Sequence, residues 1–235
     1  MALPIVSSSR YSTQVPSLGT TVEYRPYVVK EEKILMIAME SKNQKQIIRA
    51  IKDVITACVF DNIDASKLTS LDIEVLFLKL RGKSVGERAD LRFKCGTCEA
   101  MTDVSINLED VAVPELDVKS RTIMIDNKVG VVVRYPSITD MEKYTDKQLS
   151  SVDGVMSLIT DCIESIFDDE NIHSTKDEKR SEIVAFIDSL SSTQFKNVAA
   201  FFQDMPALVH DVKYNCISCD APNEIQLKGI TSFFT

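Results

Sequence analysis

The sequence predicts an α+β fold: a helix-rich body with a small antiparallel, zinc-ribbon-like sheet joining its two halves. Three observations predict it. Apolar residues recur at helical spacing through residues 30–41, 43–60 and 69–84. Alternating, strand-like runs follow at 89–94 and 102–108. Two Cys-x-x-Cys pairs, "CGTC" at 95–98 and "CISC" at 216–219, each sit among such runs.

Taken in order, the first 20 residues are rich in Ser, Thr, Pro and Gly and read as an extended N-terminal arm. "TVEYRPYVV" (21–29) alternates Val22 and Tyr24 with Glu23 and Arg25, a strand stopped at Pro26. "KEEKILMIAMES" (30–41) places Ile34, Leu35, Ala38 and Met39 on one helical stripe, with Glu31 and Glu32 suited to the positive end of the helix dipole. A second amphipathic helix covers 43–60. A third, 69–84, is capped by Thr69 or Ser70 and turns Ile73, Leu76, Phe77 and Leu80 inward.

Strands are expected at 89–94 and 102–108, then a hairpin from "RTIMID" to "VGVVVRY" around Asp126-Asn127-Lys128. Beyond Pro136, Thr139 stands three residues before Glu142 and predicts a capping box. Apolar periodicity from 147 to 167 predicts a longer helix, followed by the polar loop "DDENIHSTKDEK". Two more helices, "RSEIVAFIDSL" and "STQFKNVAAFFQD", end by Pro206, and "ALVHDVKYNC" is again strand-like. Five segments result. They are an arm (1–20), a strand plus helical part (21–88), the first knuckle with β-hairpins (89–135), a second helical part (136–207), and the second knuckle with a C-terminal tail (208–235).

The order strand, helices, knuckle occurs twice, "VEYRPYVVKEEKIL" leading to "LRFKCGTC" and "VVVRYPSITDMEKY" to "VKYNCISC". Identity outside the knuckles is thin, so duplication and convergence on similar packing both remain open.

A Cys-x-x-Cys knuckle aims two thiolates at one point, and two knuckles complete the four-sulfur tetrahedron that Zn²⁺ accepts. Cys95, Cys98, Cys216 and Cys219 are therefore the expected ligands of one structural zinc per chain. A closed shell leaves no position for water or substrate, which points to structure rather than catalysis. Residues 99–215 separate the knuckles, 117 positions where a simple ribbon has roughly 15–20. Three arrangements accommodate that interval: a domain inserted in one ribbon, knuckles paired between molecules, or a metal-free ribbon held by packing. A thioredoxin-like site is disfavoured, because neither pair opens a helix whose dipole would lower a thiol pKa. Cys58 and Cys162 lie among apolar helical residues and read as small core hydrophobes.

Other candidates carry less. Gly82-Lys83-Ser84 imitates the end of a phosphate loop, but the earlier glycine is replaced by Phe77 and a helix precedes it. His210, six residues before Cys216, reads as a strand-edge residue, and His173 with Asp168, Asp169 and Glu170 as a solvated loop. A net charge of −8 argues against a nucleic-acid partner, for which Arg92, Lys94, Lys213 and Lys228 would be the contacts. No apolar run approaches the roughly 20 residues of a membrane span, and the first residues lack the pattern of a secretory leader. Unpaired signals for catalysis are missing too, so no enzymatic activity and no small-molecule substrate are expected.

The phrases "EYRPYVVKEEKILMIAMES", "IIRAIKDVI" and "DIEVLFLKLRGKSVGE", followed by the first knuckle, resemble the T4-type bacteriophage baseplate hub subunit family of contractile-tailed phages. The resemblance runs from about residue 18 to 108. It implies a non-enzymatic virion-assembly protein, made in the infected bacterial cytoplasm, that helps build the tail baseplate hub by binding other hub and tail proteins, whether it stays in the finished particle or acts as an assembly chaperone. It supplies no catalytic residues, and it marks Arg25, Pro26, Lys30, Glu31 and Glu32 as a strand-to-helix junction. The ends of the chain, the arm and "GITSFFT" with Phe233 and Phe234, are expected to be partner-binding tails.

Overall fold

A computed structural model describes residues 8–116, 121–144, 148, 151–203, 205–229 and 232, and all statements of structure concern these residues. They divide into two compact units, one made of Met1–Glu115 with Ala207–Thr235 and the other of Leu116–Pro206. The second unit is thus an insertion in the first along the chain. The division cuts the expected 89–135 segment near residue 115 rather than leaving it whole.

In the first unit, β1 (Tyr11–Val15) pairs antiparallel with β2 (Thr20–Tyr24). An extended arm through residue 20 is therefore corrected from residue 11 onward. The Ser and Thr content hid an alternation ending in fully buried Val15, and Gly19, at φ +63, supplies the left-handed turn. Both the N–H and the hydroxyl of Ser17 in that turn donate to Asp72, at 2.8 and 2.5 Å. Asp72 also accepts from the Thr69 N–H and hydroxyl, so a fully buried carboxylate has four donors. The cap of one helix thereby fastens the hairpin.

Three helices follow: α1 (Val29–Glu40), α2 (Gln44–Cys58) and α3 (Ser70–Ser84). Asn43 caps α2, accepting from the N–H groups of Lys45 and Gln46, and Thr69 caps α3. The expected inward face of α3 is buried, but so are Leu71, Val75 and Leu78. A helix apolar all round belongs in the centre of its unit, and α3 is there.

Strands β3 (Arg88–Lys94) and β4 (Met101–Asn107) make the first knuckle hairpin. After the second unit, the chain returns as β9 (Val209–Asn215) and β10 (Pro222–Lys228), the second knuckle hairpin. The hairpins are separate two-stranded sheets.

The second unit holds a four-stranded antiparallel sheet in the order β5 (Thr122–Met124), β6 (Gly130–Val133), β7 (Ile163–Phe167), β8 (Ile172–Ser174). The expected turn at 126–128 joins β5 to β6, Asp126 accepting from the Lys128 and Val129 N–H groups. The helix expected across 147–167 is shorter: α5 is Val152–Asp161, and residues 163–167 pair with β6 as a strand. Ile163, Ile166 and Phe167 are β-branched or aromatic, and the sheet beside them outweighs the helical spacing. The Phe167 ring covers Gly130, where a Cβ would overlap it. Ser137, not Thr139, caps α4 (Ile138–Glu142), with Asp140 completing its box. Helices α6 (Arg180–Asp188) and α7 (Ser192–Gln203) close the core of Val131, Val133, Ile159, Ile163, Ile183, Ile187 and Val198.

The same kind of junction occurs once inside each unit. Arg25 leaves β2, gives its N–H to Cys58 O at 3.0 Å, and sends its guanidinium to Glu31 at 2.9 Å, Ala57 O and Pro26 O. Arg134 leaves β6, gives its N–H to Cys162 O at 2.9 Å, and sends its guanidinium to Asp140 at 2.5 Å, Asp161 O and Tyr135 O. In each case the acid lies six residues after the Arg, in the first turn of the next helix, where it also accepts the N–H of Val28 or Ser137. Burial alone would raise both carboxylate pKa values, but the arginines and these N–H groups outweigh it and hold Glu31 and Asp140 below the usual range.

Candidate metal centre

Each knuckle is built by the same backbone hydrogen bonds. The Cys95 N–H donates to Ala100 O, and the Glu99 N–H to Cys95 O. In the second knuckle the Cys216 N–H donates to Ala221 O, and the Asp220 N–H to Cys216 O. The residue after each second cysteine takes a left-handed conformation, Glu99 at φ 61 and Asp220 at φ 55. That turn folds the strand back on itself and presents both sulfurs on one side.

The four sulfurs converge, all lying within 4.8 Å of one another. Cys95 and Cys219 are 3.8 Å apart, Cys98 and Cys216 3.6 Å. A tetrahedral ion with bonds of about 2.3 Å needs sulfurs about 3.8 Å apart. The donor set and its spacing therefore fit a thiolate-bound zinc. The first cysteine of each pair is buried and the second exposed.

Backbone donors favour thiolates here. The Thr97 N–H points at Cys95 Sγ at 3.3 Å and the Ser218 N–H at Cys216 Sγ at 3.4 Å, while the Asn223 amide reaches Cys95 Sγ at 3.6 Å. Hydrogen bonds from the Cys98 and Thr97 N–H groups bring the Cys95 pKa down to about 6. Those from Cys219 and Ser218 lower Cys216 in the same way. The Ala221 N–H pulls Cys219 down, but the sulfurs around it prevail and its pKa rises to about 12. Without a cation, four crowded sulfurs must share protons; a divalent cation is the charge that lets all four ionise.

The hairpins hold one another reciprocally. The Gly96 N–H donates to Asn223 Oδ1 at 3.0 Å, and the Ile217 N–H to Thr102 Oγ1 at 3.3 Å. Phe93 stacks on Tyr214 with ring centroids 5.7 Å apart. Asn223 and Thr102 were not singled out by motif, yet each is the fourth residue after its second cysteine. Aligning the two motifs would have found both.

The other candidates fall elsewhere. His210 lies within β9 opposite Leu227, and His173 in β8 contacts Glu178 at 3.2 Å. Asp168 closes its own turn, accepting the Glu170 and Asn171 N–H groups. Lys83 binds Glu87 and Glu109 at the end of α3. Among the basic residues near the knuckles, Arg92 meets Asp103, Lys94 meets Glu99 and Lys213 meets Glu224, at 3.0, 3.0 and 3.3 Å. Burial raises the Cys58 thiol to about 11 and Cys162 to about 12, which leaves both neutral within the core. Among the described residues no helix is long and apolar enough to cross a membrane. Residues 233–235 and 1–7, expected to be tails, lie outside the described residues.

Residues 8–235 match the family described as T4 bacteriophage base plate protein, and the chain belongs to that family. No curated protein and no solved structure matches the chain.

Proposed function

We propose that this member of the T4 base plate family is a non-enzymatic structural or assembly protein of the tail baseplate hub. It is made in the host cytoplasm and acts by binding other hub and tail proteins. One structural Zn²⁺ per chain is held by Cys95, Cys98, Cys216 and Cys219. The observation that carries the reading is the meeting of two sequence-distant knuckles on one closed set of four sulfurs.

The zinc, when bound, supplies charge and a fixed tetrahedral geometry, and no open coordination position for chemistry. The chain's own residues do the remainder. Knuckle N–H groups orient the sulfurs, Asn223 and Thr102 set the two hairpins against each other, and the Arg–acid junctions fix the helices to their strands. Each unit is thereby braced internally, and its outer faces are available for recognition. Family membership supports a place in the tail.

One experiment tests both parts. The chain is recovered from infected cells, fractionated with tail assembly intermediates and assayed for metal. It is expected in baseplate fractions with one zinc per chain. Absence from those fractions overturns the assembly reading, and no zinc, or one per two chains, overturns the closed site.

A further inference from the structure

Both knuckle hairpins are fastened, at the end away from their cysteines, to one helix, α3. The second hairpin begins as the chain returns from the inserted unit, whose last residue is Pro206. Leu208, fully buried, gives its N–H to Glu74 Oε2 at 3.1 Å and accepts the Gly229 N–H at 3.1 Å. Leu208 precedes β9 and Gly229 follows β10, so the second of these bonds closes the base of the hairpin. Gly229, at φ +72, passes so near α3 that a Cβ there would stand 3.3 Å from Glu74 Oε1. One carboxylate meets both ends of the hairpin base.

The first hairpin is held in the opposite chemical sense. The Leu108 N–H donates to Glu87 O at 2.7 Å and closes the base of β3–β4. The Arg81 guanidinium donates to Gly86 O at 3.0 Å and to Arg88 O at 3.1 Å, while Lys83 bridges Glu87 and Glu109. Glu74 and Arg81 are seven residues apart, about two helical turns, which puts them on one side of α3. A carboxylate there takes an N–H from one hairpin, and a guanidinium gives its own to carbonyls of the other. Charged partners make such bonds stronger than neutral ones.

We propose that Glu74 and Arg81 are positioning residues of the metal centre. Neither is a ligand; each sets one hairpin on α3, so that the two pairs of sulfurs face each other before an ion arrives. This rests on the reading of the four cysteines as one closed metal site. The physical ground is loop closure. The knuckles are separated by 117 residues, and a chain free through that interval would lose configurational entropy when the site closed. Pinning Leu208 to the helix that leads into β3 leaves only the seven residues of β9 before Cys216, and these are themselves paired with β10. The ion then meets a site already gathered, and less of its binding free energy is consumed in ordering the chain.

The test uses the full-length chain, reduced and stripped of metal, titrated with Co²⁺ and then with competing Zn²⁺. Sulfur-to-cobalt charge-transfer absorption reports the four-thiolate site, and circular dichroism before metal addition reports the fold. Glu74→Ala and Arg81→Met are each expected to weaken metal binding by roughly tenfold or more, with a cobalt spectrum still that of four sulfurs. Glu74→Gln keeps an acceptor for the Leu208 N–H and is expected to recover most of the affinity. Leu35→Ala, at a buried position of α1, which packs against α2, is expected to lower the melting temperature and leave metal affinity unchanged. Parent affinity in Glu74→Ala or Arg81→Met overturns the proposal. An equal loss in Leu35→Ala overturns it too, because the effect would then be one of general stability, as does a Glu74→Gln chain no better than Glu74→Ala. If Glu74→Ala is unfolded without metal, Arg81→Met, at a partly exposed position, decides by the same criterion. A parent chain that gives no four-sulfur spectrum overturns the closed site itself, whereas a normal parent with indifferent variants overturns the positioning alone.

Discussion

The hairpins β3–β4 and β9–β10 are two versions of one device. Arg92 opposes Asp103 in the first and Lys213 opposes Glu224 in the second. Leu91 faces Val104 as Val212 faces Ile225, and each knuckle closes with the same pair of backbone bonds. The differences lie at the tips. Gly96 of one corresponds to Ile217 of the other, and Thr102 corresponds to Asn223. What stays constant is the frame that aims sulfur, and what varies is the side chain that receives the partner's N–H. A small hydroxyl suffices on one side, whereas Asn223 on the other also reaches Cys95 Sγ and Ala221 O. The Arg–acid junctions repeat this lesson. Glu31 and Asp140 differ by one methylene, yet both satisfy an arginine and a helix N-terminus.

The strongest way to break the comparison is at the sulfurs. Cys95→Ser and Cys216→Ser occupy equivalent places and should behave alike. Each is expected to lose the metal and destabilise the first unit by on the order of 5 kcal/mol or more, measured by zinc content and thermal unfolding. If only one of them releases zinc, the two knuckles are not equivalent ligands.

Next come the junctions. Arg25→Met leaves the buried Glu31 carboxylate without its cation, at an expected cost of about 2–4 kcal/mol, and Arg134→Met leaves Asp140 with only the half-exposed Lys143, at a cost toward the lower end of that range. The folded-state pKa values of Glu31 and Asp140 are depressed, so their contribution is present above the unfolded value of about 4 and is lost as pH falls through the folded values. Acid titration of the unfolding midpoint should therefore be flatter in either variant than in the parent. An unchanged slope would show that these pairs do not set acid stability.

The smallest effect sharpens the difference at the tips. Thr102→Val removes one acceptor and should cost about 1 kcal/mol, while Asn223→Ala removes an acceptor and two donated bonds and should cost up to about 2 kcal/mol. Denaturant unfolding of the zinc-loaded variants measures both, and equal costs would make the extra bonds of Asn223 ornamental.

Much of this was legible in the sequence because the signals were local. Thr69 announces a helix start, apolar spacing draws α1 to α3, and two tight Cys-x-x-Cys pairs name the four candidate ligands. What escaped was decided at a distance. Ile163–Phe167 carries helical spacing but becomes a strand because β6 offers it a ladder. Tyr11–Val15 looked like a tail because its partners, β2 and the Asp72 carboxylate, lie further along the chain. The Arg–acid pairs share a spacing of six residues, but nothing local in the sequence says that either guanidinium reaches its acid or also collects the carbonyls of Ala57 or Asp161.

The insertion of Leu116–Pro206 between the two knuckles has a consequence in time. A ribosome delivers Cys95 and Cys98 early, and then must supply 117 further residues before Cys216 follows. Through that interval the first hairpin holds half a site, while the inserted unit has all of its own strands and helices available to fold. Closure therefore has to wait for Cys219, and a chain released before that residue cannot perform it.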